Sequence, residues 1–508
     1  MKQFLPCIVL LILISIGCNR HEDLNPADRD SNLESRNSSN SFVKLSSIDL
    51  GEAGAAEISS FDPVSKKLFV VNNTSNNNRI DVVNVADPSK PSLVSTIIIA
   101  DLGGLVNSLD VSNGMVAAAI EAKDKVSSGK VAIFNTQDLR LVKLVSVGSL
   151  PDMVSFTPDG KFILTADEGE PNADYSKDPL GTVSIIDVDH DYQVFTLDFS
   201  HFKSQYQNLK EKGLRIFGPK ASFGQDIEPE FITISPDSRF AWVTLQENNA
   251  IAKVDIRSKV ITDLFPLGFK NYYKEVNALD ASDRDGGIKM DRFALKGIYE
   301  PDGIALLDHN GNYYLYTANE GDAREYSSYV ENVRAGAGSY KMDSINIPMR
   351  AILKGNDKLG RLNVTNALGD KDGDGDFDEI YTHGARSFSI WNARSGEFIY
   401  DSKNEIDKIM IELGKYPDSR SDDKGSEPES IIIGNVGGTN LLFVGLERAD
   451  AVMVYDLTNP LQPVYLQTLN TGIAPEGLIF VSADKSPNGK NLIIVSCEGD
   501  GQVLIFSE

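Results

Sequence analysis

The hydrophobic pattern along most of the chain has a period of two. In Ile227–Glu247, IEPEFITISPDSRFAWVTLQE, the residues Phe231, Thr233 and Ser235 alternate with Ile232 and Ile234. The group Pro236-Asp237-Ser238 then turns the chain, and Phe240–Leu245 returns as a second β-rich run, which together predict a hairpin. Recognisable versions recur at Leu150–Glu170, Glu300–Asp322, Glu427–Asp450 and Ala474–Asp500, with weaker copies at Ala55–Asn73 and Val106–Ala122. Most are followed by a third short strand, as in Val183–Val188, Ile251–Ile256, Val452–Leu457 and Val503–Phe506. Tandem units of three or four short antiparallel strands, none able to bury both faces alone, predict an all-β fold of the β-propeller type. The copies give seven blades, or eight if Leu362–Ser402, which holds ARSFSIWN and EFIYDS, forms a set of its own. Val43–Leu50 has no hairpin partner beside it, whereas the chain ends on the third strand of the last unit. The expectation is that this N-terminal strand completes the last blade and removes the exposed edge.

Other segments break the period. Phe202–Lys212, stopped by Gly213, and Asn404–Leu413, stopped by Gly414 and preceded by Ser402 and Glu405 at capping-box spacing, predict short helices at blade edges. Gly321–Gly360, which contains AGAGS, is too long for a plain loop and is a candidate lid or contact surface.

Before the repeats, Met1-Lys2-Gln3 leads into an apolar run, Phe4–Ile16, and then Gly17-Cys18. That is the layout of an export signal spanning residues 1–17, too short for a comfortable membrane span. Ser15-Ile16-Gly17-Cys18 resembles a bacterial lipobox, with Ser15 where Leu is commonest. The resemblance implies a lipid on Cys18 and a protein held at the outer membrane or cell surface of a Gram-negative bacterium. Residues 18–41 are polar and poor in apolar side chains, as expected of a disordered tether, which leaves 42–508 for the propeller. Of three cysteines only Cys497 lies in that part, so packing and not a disulfide must stabilise it.

Composition changes the picture in one respect. The 508 residues are 41% hydrophobic, ordinary for a globular protein, but 73 acidic against 49 basic residues give a formal net charge of −24. Nucleic acid and anionic membrane surfaces are poor partners for such a chain, whereas divalent cations and cationic ligands suit it. Nothing in the sequence calls for an oligomer, and a monomer with an extracellular or periplasmic ligand is the expectation.

The repeat also gathers the acids. In a propeller blade the residue before strand one and the residue after strand two lie on the same face of the disc. Asp152, Glu230, Asp302, Glu429 and Glu476 are thereby expected around one channel mouth with Glu168, Glu247, Glu320, Glu447 and Glu498. Carboxylates this close raise one another's pKa unless positive charge sits among them. Arg324 and Arg448 are candidates for that charge and for orienting an anion, and Ca²⁺ is the other candidate because every available ligand is oxygen. The same acids could instead cap backbone N–H groups at blade junctions. A second acidic motif is Asp370-Lys371-Asp372-Gly373-Asp374-Gly375-Asp376-Phe377-Asp378-Glu379. Its alternating carboxylates and glycine follow the D-x-D-x-D-G pattern of calcium loops, with Asp370, Asp372, Asp374, Asp376, Asp378 and Glu379 as candidate ligands. The twelfth position is Tyr381, not Glu, so the expectation is a calcium loop without the EF-hand helices. No G-x-S-x-G, H-E-x-x-H, P-loop or C-x-x-C-H motif is present, and the five histidines are scattered, with His383 read as structural.

The runs LPDMVSFTPDGKFILTADEGEPN, EPEFITISPDSRFAWVTLQENNAIAKVDI, LDASDRDGG, YTANEGDAREY, GARSFSIWN, RSDDKGSEPES and FVGLERADAVMVYDLTNP resemble the choice-of-anchor I family. The resemblance runs from Phe42 to Glu508 and extends to mesenchyme-specific cell-surface glycoproteins of biomineralising animal cells. It implies an exported, anchored propeller associated with calcium. Some members carry the label alkaline phosphatase, but no nucleophile here matches that role. Two functions follow as expectations: a calcium-binding surface propeller that binds a ligand or partner, and, alternatively, a Ca²⁺-dependent phosphomonoesterase working at the channel mouth. A structural matrix protein is a third.

Overall fold

Period-two strands need a neighbour on each face, and a ring of sheets supplies one. The computed structural model describes residues 41–74 and 77–508. It contains seven four-stranded antiparallel sheets. Sheet 1 runs through Ser59–Asp62, Lys67–Asn72, Arg79–Asn84 and Ser92–Ile98. Sheet 2 begins at Val106–Ser112, sheet 3 at Pro151–Phe156, sheet 4 at Pro229–Ile234 and sheet 6 at Pro428–Val436, each followed by its three outer strands in chain order. Sheet 5 is split: Ile304–His309 and Asn312–Asn319 pair on with Ser387–Asn392 and Phe398–Asp401. Sheet 7 takes Pro475–Val481, Leu492–Cys497 and Gln502–Ser507, and its fourth strand is Val43–Asp49, antiparallel with Val43 opposite Ser507. The first strands touch in succession from sheet 1 to sheet 7, and that of sheet 7 returns to that of sheet 1. The fold is therefore an all-β propeller closed by its N-terminal strand, as the repeats predict.

Alternation explains how the core is shared. Leu68 and Val70 pack with Leu492, Ile494 and Val503 of sheet 7, whereas Phe69 and Val71 pack with Val106, Leu109 and Val116 of sheet 2. The same division repeats around the ring, with Trp242, Ile251, Leu315 and Trp391 filling the gap between sheets 4 and 5. Burying such a side chain contributes about 1.5–3 kcal/mol, so each sheet interface is a core in its own right. The two predicted helices lie against these cores. Tyr206–Glu211 joins the layer between sheets 3 and 4 through Leu209, and Glu405–Glu412 that between sheets 5 and 6 through Ile406 and Met410. The expected capping box does not form: the hydroxyl of Ser402 accepts from the backbone N–H of Phe388 instead.

The split in sheet 5 makes room for a satellite. Leu362–Ser402 forms no sheet of its own: Asn363–Thr365 pairs with Asn332–Arg334 outside the ring, Tyr381 and Thr382 pair in parallel with Lys296 and Gly297, and Ser387–Asn392 and Phe398–Asp401 supply the outer half of sheet 5. Much of Gly321–Gly360 is not a loose excursion either. Ala335, Tyr340, Met342, Ile347 and Leu359 build a small core with Tyr272, Leu279, Phe293 and Leu295.

Candidate functional site at the channel mouth

Proline opens the first strand of sheets 3, 4, 6 and 7, a position where its missing N–H costs no ladder bond. Immediately after it the pairing slips by a β-bulge, between Pro151 and Met153, Pro229 and Ile232, Pro428 and Ile431, and Pro475 and Gly477. Sheet 2 has the same slip between Val106 and Ser108. Bulges re-aim the residue they contain. Those residues are Asn107, Asp152, Glu230, Glu429 and Glu476, and Glu57 and Asp302 take the corresponding places ahead of the first strands of sheets 1 and 5. Every sheet thus offers one side chain to the mouth, and six of them are carboxylates.

A second set stands one residue past the end of each second strand. Pro151 pairs with Asp167, Pro428 with Leu446 and Pro475 with Cys497, so Glu168, Glu447 and Glu498 lie just beyond. In sheet 4 Pro229 pairs with Leu245, which puts Gln246, not Glu247, at that register. The amide of Gln246 donates to Glu320 at 3.0 Å.

These acids feel one another across sheets. Burial first, and then Glu168, Asp152, Glu247 and Asp302, push the Glu230 carboxyl well above the carboxylate range. Burial followed by Glu476 and Glu320 does the same to Glu429, and burial followed by Glu498 and Glu57 to Glu476. Asp152 is raised to about 7 and Glu57 to about 8 by the same combination. Two trios converge further. Asp302, Glu320 and Glu429 each bring a carboxylate oxygen within 4.8 Å of the others, and so do Glu320, Glu427 and Glu447. Glu429 and Glu476 each leave one buried oxygen without a protein partner.

Above sheets 4, 5 and 6 a further carboxylate precedes the proline, in Glu228-Pro229, Glu300-Pro301 and Glu427-Pro428. Each is buried and each holds basic residues. Arg324 spans Asp226 and Glu228, with its Nε 3.0 Å from Glu228. Arg215 lies between Glu300 and Glu331. Glu427 receives Arg420 at 2.6 Å, Lys424 at 3.2 Å and Arg448 at 3.5 Å. Arg324 is therefore sealed into its own ion pairs, whereas Arg448 is partly exposed. Beside them opens a cavity of about 410 Å³, with Glu247, Asp322, Tyr326 and His383 in its wall. Glu57, Gln246, Glu300 and His383 had no place in the sequence reading of the site. Glu57, which precedes a strand as Asp152 does, and Glu300, which precedes a proline as Glu228 and Glu427 do, carried signals that could have placed them.

The aspartate loop lies apart from the mouth trios, on the satellite. Asp370, Asp372 and Asp374 bring oxygens within 4.8 Å of one another and are exposed. Asp370 also accepts from the N–H groups of Gly373 at 2.7 Å and Gly375 at 3.1 Å, which folds the turn. Asp376 is not in that trio, and Asp378 accepts from the Lys371 N–H at 2.8 Å and the Asn346 amide at 2.7 Å. Glu379 is held elsewhere. Against the effect of burial, hydrogen bonds from Lys296, Lys371 and Tyr381 keep its carboxyl down at about 2. Cys18 lies outside the described residues. Among the described residues no helix is long and apolar enough to cross a membrane.

The family model of the choice-of-anchor I domain matches residues 57–460. The chain belongs to the choice-of-anchor I family. That membership, with the propeller fold, points to a surface-associated propeller protein. Two curated relatives are similar to parts of it. Gigasin-3a of Magallana gigas is 27% identical over 182 residues, 29% of this chain and 64% of that protein. The mesenchyme-specific cell surface glycoprotein of Strongylocentrotus purpuratus is 25% identical over 336 residues, 55% of this chain and 42% of that protein. The matches thus cover less than two thirds of either relative. Among solved structures, Kuenenia stuttgartiensis hydrazine synthase aligns with a TM-score of 0.48 at 12% identity, over 90% of this chain and 97% of that one. The Myceliophteria thermophila Cps50 (Swd1) β-propeller domain aligns with a TM-score of 0.46 at 8% identity, over 92% of this chain and 100% of that one.

Proposed function

We propose that this choice-of-anchor I protein is a lipid-anchored, calcium-binding surface propeller whose carboxylate mouth is its binding face. The observation that carries the reading is the convergence of Asp302, Glu320 and Glu429 within 4.8 Å, with a buried Glu429 oxygen left unpartnered. Three carboxylate oxygens from two adjacent sheets suit a hard, oxygen-seeking cation. A bound dication also relieves the repulsion that raises these acids. The trio Asp370, Asp372 and Asp374 is the second candidate calcium site, ranked weaker because it is exposed to water. Cys18 is the proposed point of lipid attachment to the outer membrane or cell surface, and mass spectrometry of the mature N-terminus tests it. Calorimetric titration of the calcium-free protein with Ca²⁺, repeated on Glu429→Gln and Asp372→Asn, tests the metal sites. The tighter site is lost in the first variant and the weaker in the second; a titration unchanged in both would sink the reading.

A Ca²⁺-dependent phosphomonoesterase is the second reading, favoured by Glu320 belonging to both mouth trios, which allows two cations to share a carboxylate. It ranks second because the basic residues it needs are engaged: Arg324 by Asp226 and Glu228, and Lys424 by Glu320 and Glu427. Hydrolysis of a phosphomonoester panel that disappears on chelation, while the fold survives, would reverse the order.

A further inference from the structure

The two mouth trios have Glu320 in common but differ in what already touches them. Basic residues gather on the second. Arg420 and Arg448 pair with Glu427, Arg448 also with Glu447, and Lys424 with both Glu320 and Glu427. Of the first trio only Glu320 has a share in them, and it is there that Glu429 keeps a buried oxygen without a partner.

Lys424 makes the difference. Its ammonium donates to a Glu320 oxygen and, at 2.6 Å, to the Gly321 carbonyl, and it stands 3.2 Å from Oε2 of Glu427. That Glu427 oxygen is buried and accepts no hydrogen bond, so charge alone sets it against the ammonium, while the other Glu427 oxygen is taken by Arg420. Two of the three carboxylates of the trio thus close on one positive nitrogen, with a backbone carbonyl as the third oxygen. Carboxylates and carbonyls are also the ligands a hard cation takes. The turn that carries Lys424 holds it in place. Arg386 donates to the carbonyls of Ser421 at 2.7 Å and Asp423 at 2.9 Å, and the Gly425 N–H donates to the Arg420 carbonyl at 2.9 Å, so the backbone is tied on both sides. The side chain itself is only 11% exposed.

A dication entering the second trio would have to sit beside this ammonium or expel it. Sitting beside it brings like charges together away from bulk water, where they repel most. Expelling it strips a buried ammonium of the acceptors that satisfy its N–H groups. Lys424 also belongs to the chain, so its attraction to Glu320 and Glu427 carries no cost of capture from solution, whereas that of a free ion does. From this geometry we infer that Lys424 is the resident cation of the second trio: it stands in the place of a second Ca²⁺ and limits the mouth to one ion, at Asp302, Glu320 and Glu429. The inference rests on the calcium reading of the mouth and deepens it by fixing the number of ions and the residue that sets it. It also counts against a two-cation hydrolytic centre, since half of that centre is already filled by the protein.

Calorimetric Ca²⁺ titration of the full chain tests it, with Asp372→Asn as the common background so that only the mouth is read. The expected stoichiometry is one ion in that background and two once Lys424→Met is added. Glu447 belongs to the second trio alone and supplies a further variant. With Lys424 in place, Glu447→Gln is expected to change calcium affinity by less than about threefold, and with Lys424→Met it is expected to abolish the gained ion. One ion in a folded Lys424→Met chain, or a loss of about tenfold or more from Glu447→Gln alone, would overturn the inference and leave the calcium site at Asp302, Glu320 and Glu429 standing. Where Lys424→Met does not fold, the Glu447→Gln comparison decides. No binding in the background chain overturns the calcium reading, and this inference with it unless Lys424→Met gains an ion.

Discussion

Glu429 and Glu476 occupy the same place in neighbouring sheets, each inside the bulge that follows the opening proline, and each leaves one buried oxygen without a protein partner. After burial, Glu476 is the largest influence raising Glu429. Two like charges held this close by rigid strands disfavour the empty fold. Glu429→Gln in calcium-free buffer is therefore expected to raise the melting temperature by on the order of 1–3 °C. In saturating calcium the order reverses, because the variant has lost a ligand that stabilises by mass action. Differential scanning calorimetry with and without chelator checks both signs.

Burial, reinforced by neighbouring acids, sets the pH dependence. Glu57 and Glu228 are raised from 4.5 to about 8, and Asp152 from 3.8 to about 7. An acid whose folded pKa lies above its unfolded one binds its proton more tightly in the folded state. Its contribution is present below about pH 4 and is lost as pH rises through 7 to 8. The calcium-free protein should lose stability across that window. Calcium affinity should rise across it, with protons released on binding. Denaturant melts at several pH values, and titrations in buffers of different ionisation enthalpy, measure the two.

Arg215 is a buried charge on which two others depend, because Glu300 and Glu331 have it in common and all three are fully buried. Removing it takes the guanidinium from both carboxylates, and breaking a buried pair in this way costs about 3–5 kcal/mol. Arg215→Ala should unfold at correspondingly lower denaturant, with Arg215→Lys recovering part of the loss.

The closing strand gives a test of topology. Val43–Asp49 covers the outer edge of Gln502–Ser507. A chain begun at Gly51 exposes that edge, and exposed edges pair with other chains. Light scattering should show oligomers that a synthetic peptide of residues 42–50 disperses; a monodisperse truncated chain would contradict the role given to this strand.

Much of the fold was legible in the sequence. Alternation at period two, repeated at a regular spacing with turn residues between, determined the strands, the propeller class and the closing role of Val43–Leu50. Local chemistry also marked Asp370–Asp374, because contacts within Asp370–Gly375 fold that turn. The membership of the mouth was legible only in outline. Position before or after a strand located Asp152, Glu168, Asp302 and Glu429, but a shift of one residue in sheet 4 put Gln246 where Glu247 was expected, and such shifts depend on bulges that form between strands. The pairing of Arg324 and of His383 was beyond reach. Their partners lie far away along the chain: Arg324 meets Asp226 and Glu228 across 98 and 96 residues, and His383 meets Glu300 across 83. The sequence by itself determined which residues would be strands and that acids would crowd one face. Only the tertiary structure decided which acids converge, which are neutralised by buried arginines and which remain without a partner, because those outcomes depend on distances between sheets that no local pattern encodes.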